Sequence, residues 1–119
     1  MKTINIDKSF RGGSKSTTFS GRKEGQEARK RMQLDELDNN NEPIVITIPE
    51  DTTSFNPSFF LGLFYPSVEK LKSVDAFKKK YILSLENLPE ELKRYIQEDY
   101  DDCYNRCENE LNNRTGIDL

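Results

Sequence analysis

Residues 44–64, IVITIPEDTTSFNPSFFLGLF, decide how this chain is read. Ile44 to Ile48 is β-branched throughout and apolar on both faces, the pattern of a central strand buried from both sides. Pro49 ends it, and a polar turn over 50–56 follows. Asn56-Pro57 then has the form of a helix cap with proline at the first helical position. From Ser58 to Leu71 the chain is apolar nearly all round, which predicts a buried helix. Pro66 is expected to kink or interrupt it.

Working outward, Lys2 to Ile6 alternates and predicts a first strand, and Arg11 to Ser20 reads as a Gly/Ser/Thr loop around Gly12 and Gly13. A helix is predicted from Ser20, which is placed to cap it. Its apolar face (Ala28, Met32, Leu37) is thin, so it should be half exposed. The run 38–43, DNNNEP, breaks it. Tyr81 to Leu85 predicts another core strand. Pro89 opens a long helix to about Asn112, striped by Leu92, Ile96, Tyr100, Cys103, Cys107 and Leu111. The tail RTGIDL is expected to fray. No internal repeat stands out. Strands alternating with helices predict an α/β domain with a mixed or parallel sheet and helices packed on it.

The 119 residues suit one domain over 1–119, with its core in 2–85 and the long C-terminal helix over 89–112. Charged residues are 33% of the chain and hydrophobic ones 34%, but seven Phe and five Tyr are enough to build a core. No apolar run is long enough to span a bilayer, and the first ten residues lack the apolar centre of a secretory signal. Two cysteines four apart suit a reduced compartment, so a cytoplasmic location is expected. Net charge is −3, unevenly spread: residues 1–33 hold nine Lys and Arg against three Asp and Glu, whereas 86–119 hold four against ten. Such polarity steers partners.

Histidine is absent, which removes the commonest general base and the Ser–His and Cys–His nucleophile pairs. Cys103 and Cys107 share a helical face; with no third Cys or His to complete a metal site they read as small hydrophobes on the buried stripe. Gly12-Gly13-Ser14-Lys15-Ser16 keeps only part of a phosphate loop. Asp99, Asp101 and Asp102 read as a solvated acidic face. Arg22, Lys23, Arg29, Lys30 and Arg31 give the first helix a basic flank that would suit nucleic acid, although Glu24 and Glu27 interleave with them. No catalytic set, cofactor or metal is expected. Ser54 and Ser58 lie just before or inside the first turn of the buried helix, where a phosphate would be welcome; they read first as capping residues.

Ser20, Gly21, Arg22, Gly25 and Arg29 form S-G-R-x-x-G-x-x-x-R, and with the strand and TTSFNPSFFLGLF this order resembles the STAS-like family of bacterial proteins over about residues 2–85. The resemblance implies a small mixed sheet of about four strands flanked by helices. It also implies a non-catalytic regulatory module whose partner is a histidine-kinase-type ATPase, docked at the turn and helix start near residues 50–60. In the related anti-sigma-factor antagonists a serine in a D-S-S-G turn is phosphorylated. Here Asn56 stands for the aspartate and Pro57 at the acceptor position, so only Ser58 could serve, one position late. Two other classes fit the charge pattern: an inhibitor from a phage or mobile element that blocks a surface, and a nucleic-acid binder using the basic first helix.

Overall fold

The computed structural model describes residues 2–11 and 16–114, so positions 12–15 of the first loop and nearly all of the RTGIDL tail lie outside the described residues. The elements run β1 (Lys2–Asn5), a 3-10 turn (Lys8–Phe10), β2 (Thr18–Phe19), α1 (Arg22–Met32), α2 (Leu34–Asp38), β3 (Ile44–Thr47), β4 (Ser54–Phe55), α3 (Pro57–Leu71), α4 (Val74–Lys80), β5 (Tyr81–Leu83) and α5 (Glu90–Arg114). The strands form two small parallel sheets, β1-β3-β5 and β2-β4, in place of the one mixed four-stranded sheet expected.

A repeat is visible in three dimensions. Strand, two-residue strand, helix and short helix occur twice in succession, from β1 to α2 and from β3 to α4. The two units pair in register, Lys2 with Ile44 and Phe19 with Phe55. The turns that open the helices carry related residues, Thr17-Thr18-Phe19-Ser20 and Thr53-Ser54-Phe55-Asn56. The expectation of no internal repeat is therefore corrected.

Strand order explains the layering. β1, β3 and β5 lie in chain order, so right-handed crossovers that always advance in one direction deposit their helices on a single face. Ile44, Ile46 and Tyr81 are buried on that face. The neighbouring row on the other face, Thr3, Val45 and Ile82, is exposed or half-buried, and Ile82 is 40% exposed. β3 is central, as expected, but it is fully buried from one side only. The bare face also carries Asn5 and Thr47, bonded to each other at 2.8 Å, which suits it to water.

α3 packs on α1 along one flank and on α5 along another, above the sheet. That surround is why its sequence is apolar almost all round. Phe55, Phe59, Phe60, Phe64, Phe77, Tyr81 and Tyr100 form a buried aromatic cluster with ring centroids mostly 5–6 Å apart. The helix runs through Pro66 from Pro57 to Leu71 without interruption. On α5 the stripe Ile96, Tyr100, Cys103, Cys107 and Leu111 is buried, as its spacing predicted.

The α1–α3 contact has a different basis. A Cβ on Gly25 would stand 2.2 Å from the Phe59 carbonyl oxygen, and one on Gly62 would stand 2.2 Å from that of Arg22. Two glycines facing opposite backbones let the helices touch main chain to main chain. α1 begins at Arg22 behind Gly21, whose φ of 95° lies in the region favouring glycine. Ser20 lies outside the helix and does not cap it, a correction to the sequence expectation. The chain breaks again at Gln33 (φ 57°), so the predicted single helix is two, α1 and α2.

Candidate functional site

The two turns that open α1 and α3 lie side by side beyond the carboxyl ends of the parallel strands, the end of an open α/β sheet where sites usually form. Because the strand order never reverses, the sheet has no switch-point crevice there. The turns are instead bonded to each other into a rim. Thr53 N donates to the Thr17 carbonyl at 2.9 Å, and Asn56 N to that of Phe19 at 2.8 Å. The Thr17 and Thr53 hydroxyls are 2.6 Å apart. Ser58 Oγ accepts from Gly21 N at 3.0 Å and donates to Asn56 Oδ1 at 2.9 Å, while Asn56 Oδ1 also caps α3 by accepting from Ser58 N. Asn56 and Thr53 are exposed, and Ser58 is half-buried.

Gly21 thus bonds Ser58 at the rim, while Arg22 and Gly25 face Gly62 and Phe59 along α3, so both halves of the sequence pattern converge on the first turns of α3. Ser54 is set apart: it lies in β4, paired with Thr18, and not in the first turn of α3. The Ser58 hydroxyl is committed to two neighbours, and a group added there would displace both.

Beside the rim, the buried Arg11 side chain donates to both Asp51 carboxylate oxygens at 3.0 and 3.3 Å and to Thr52 Oγ1 at 2.7 Å, and lies over Phe19. Its hydrogen bond holds the Asp51 carboxyl below the usual carboxylate range. On the far side, Asp99 Oδ2 accepts from Phe55 N at 2.9 Å. Asp99 is therefore a strand partner and not a member of a purely solvated acidic face.

Arg29, the last residue of the S-G-R pattern, points into the fold and away from the rim. Its guanidinium donates to the Leu63 carbonyl and Ser67 Oγ at 2.9 Å, to Asp35 at 2.8 Å and to Asp38 at 2.6 Å. Asp38, almost fully buried, also accepts from Ser67 at 2.7 Å and from Tyr81 at 2.5 Å. The network clamps α1, α2, α3 and β5 together. Burial first, then the bond to Asp38, pushes the Tyr81 hydroxyl well above the ordinary tyrosine range.

Burial, with neighbouring acidic and thiol groups, raises both cysteine thiols, that of Cys107 to about 12. At neutral pH neither presents a thiolate. Among the described residues no group of three or more His, Cys, Asp or Glu is placed to hold a metal ion, and no helix is long and apolar enough to cross a membrane. Of the basic flank on α1, Arg22 pairs with Glu110, Arg31 with Glu27, and Arg29 with Asp35 and Asp38.

The chain matches no family model, no curated protein and no solved structure.

Proposed function

We propose that this chain is a non-catalytic, STAS-like regulatory module that binds a protein partner through its paired turns, residues 17–21 and 53–58. The single observation that carries the reading is the cross-bonding of those turns into one polar rim, exposed at Ser20, Thr53 and Asn56, at the carboxyl end of the strands. A pre-ordered rim loses little conformational entropy on docking. The partner suggested by the sequence resemblance is a histidine-kinase-type ATPase, met in the cytoplasm, and docking does not require Ser58 to be modified. A nucleic-acid reading draws less support, since three of the five cations on the α1 flank are engaged by carboxylates of the same chain.

The test is capture of partners from source-cell lysate at about 0.15 M salt, where weak surface charge contacts are screened, followed by titration of the purified partner with Thr53→Arg and Asn56→Arg variants. Neither position is buried, so both variants should keep the native circular dichroism at about 25 °C, although Asn56→Arg gives up the α3 cap at a cost of about 1 kcal/mol. Loss of binding by tenfold or more in both variants is the expected result. Unaltered binding would overturn the rim as the docking surface. Release of everything captured by nuclease would return the chain to the nucleic-acid reading.

A further inference from the structure

The contact between α1 and α3 is closest at Gly25 and Gly62, and beside it lies a groove of about 400 Å³. Its floor is Gly62 and Pro66, and its α1 wall carries Lys23, Gln26, Glu27 and Lys30. This volume falls within the range of ligand-binding clefts. The groove is separate from the rim, and occupancy of one does not require occupancy of the other.

Charge in the groove is unevenly neutralised. Its two carboxylates are already engaged within the chain: Glu27 by Arg31 at 3.4 Å, and Asp35 by Arg29 at 2.8 Å and Lys70 at 3.7 Å. Lys23 and Lys30 make no ion pair among the described residues. They stand seven positions apart on one helix, about 10 Å along its axis. Two cations at that separation flank a floor that has no long side chain. Pro66 has no N–H to give the Gly62 carbonyl, so that floor carbonyl lacks its usual helical donor. Gln26, exposed on the wall, offers both a donor and an acceptor.

We propose that this groove docks an acidic peptide segment of a partner protein, with carboxylates on Lys23 and Lys30 and main-chain groups toward Gln26 and Gly62. Peptide is favoured over a simple polyanion because the groove combines spaced cations with main-chain-type donors and acceptors.

The test is a titration of the ¹⁵N-labelled full chain with capped octaglutamate, in parallel with an octathymidylate and an uncharged Gly-Ser octapeptide. Octaglutamate should shift amides of residues 23–30 and Gly62 and saturate, while the Gly-Ser peptide should shift none. Lys23→Ala with Lys30→Ala should weaken octaglutamate about tenfold, the scale of two exposed ion pairs. Alanine is the best helix former, so α1 should persist. Lys93→Ala with Arg94→Ala, on α5, should change nothing. The proposal is overturned if the α1 double variant binds as the parent does. It is equally overturned if shifts spread to Lys78–Lys80, if octathymidylate binds as tightly at the same amides, or if no peptide shifts the groove at all.

Discussion

The two flanks of α3 are held by opposite means. Against α5 it presents the ring of Phe60, 5.6 Å from Tyr104 and 6.3 Å from Tyr100, beside Phe55 of β4, which lies 5.2 Å from Tyr100. Against α1 it presents the absence of a side chain at Gly62, followed by a charged network around Arg29. The aromatic flank draws its stability from area removed from water and depends little on pH. The glycine flank depends on fit and on polar partners, so small changes there should have outsized effects. The rim and the groove both lie along the second flank, where geometry is specified most tightly.

The largest effect should come from the aromatic flank. Phe60 is fully buried and touches Phe55, Phe64, Phe77, Tyr100 and Tyr104, so Phe60→Ala should cost about 3–5 kcal/mol. Urea unfolding would measure it. A cost under about 1 kcal/mol would mean that α5 is not packed as described. On the other flank Asp38→Ala strands Arg29 in the interior with Asp35 alone, and about 3 kcal/mol should be lost. Arg29→Met with Asp38→Leu should recover much of that, because a missing charge pair is cheaper than a broken one. If the double variant is no better than Asp38→Ala, the network does more than balance charge.

Gly62→Ala comes next. The new methyl meets the Arg22 carbonyl, which cannot rotate away, so α1 must shift at a cost of about 1–3 kcal/mol. The same substitution at an exposed helical site would stabilise, so the sign alone tests the close crossing. Because Gly62 also floors the groove, a destabilised but folded Gly62→Ala protein should show altered amide shifts along residues 22–30.

These flanks were unequally legible in the sequence. The aromatic side announced itself, since Ile96, Tyr100, Cys103, Cys107 and Leu111 recur at helical spacing and Phe59 to Tyr65 are too apolar for a surface. Asn56 with Pro57 marked the start of α3 correctly. The α1 side was visible only as a pattern, S-G-R-x-x-G-x-x-x-R, because the partners of Arg29 come from α2, α3 and β5 and no local period links them. β2 and β4 have two residues each, too few for alternation to register; their pairing is set by contacts 36 positions apart. The signal that could have found them was the echo of Thr17-Thr18-Phe19-Ser20 in Thr53-Ser54-Phe55-Asn56. α4 had its own signal, with Ser73 capping Ala76 N and Val74 and Phe77 buried three apart. The break at Gln33 had none, since glutamine is not a residue that favours a left-handed backbone.

Tyr100 offers a smaller test, of opposite sign. Its hydroxyl is buried with no hydrogen-bond partner among the described residues. Tyr100→Phe keeps the ring contacts with Phe55 and Phe60 and removes a desolvated polar group, so it should raise stability by about 1 kcal/mol. A loss of stability would show that the hydroxyl has a partner and that the aromatic flank is less dry than its packing suggests.

The smallest effect separates the flanks by pH. Arg29 donates to Asp35 and holds its carboxyl below the usual carboxylate value of 3.8. A carboxyl depressed in the folded state takes up its proton more readily in the unfolded chain. Its contribution is therefore complete above about pH 4–5 and is lost as pH falls through the folded value. Asp35 is 77% exposed at its side chain, so solvent screens the pair and only a few tenths of a kcal/mol are expected. Asp35→Asn should lower stability by that amount at pH 7 and make the fall below pH 4 shallower. Repeated in a Phe60→Ala background, the Asp35→Asn difference should be unchanged, because distant sites without shared partners add. A difference that changes would mean that α3 passes strain from its aromatic flank to its polar one, and that the two are a single cooperative surface.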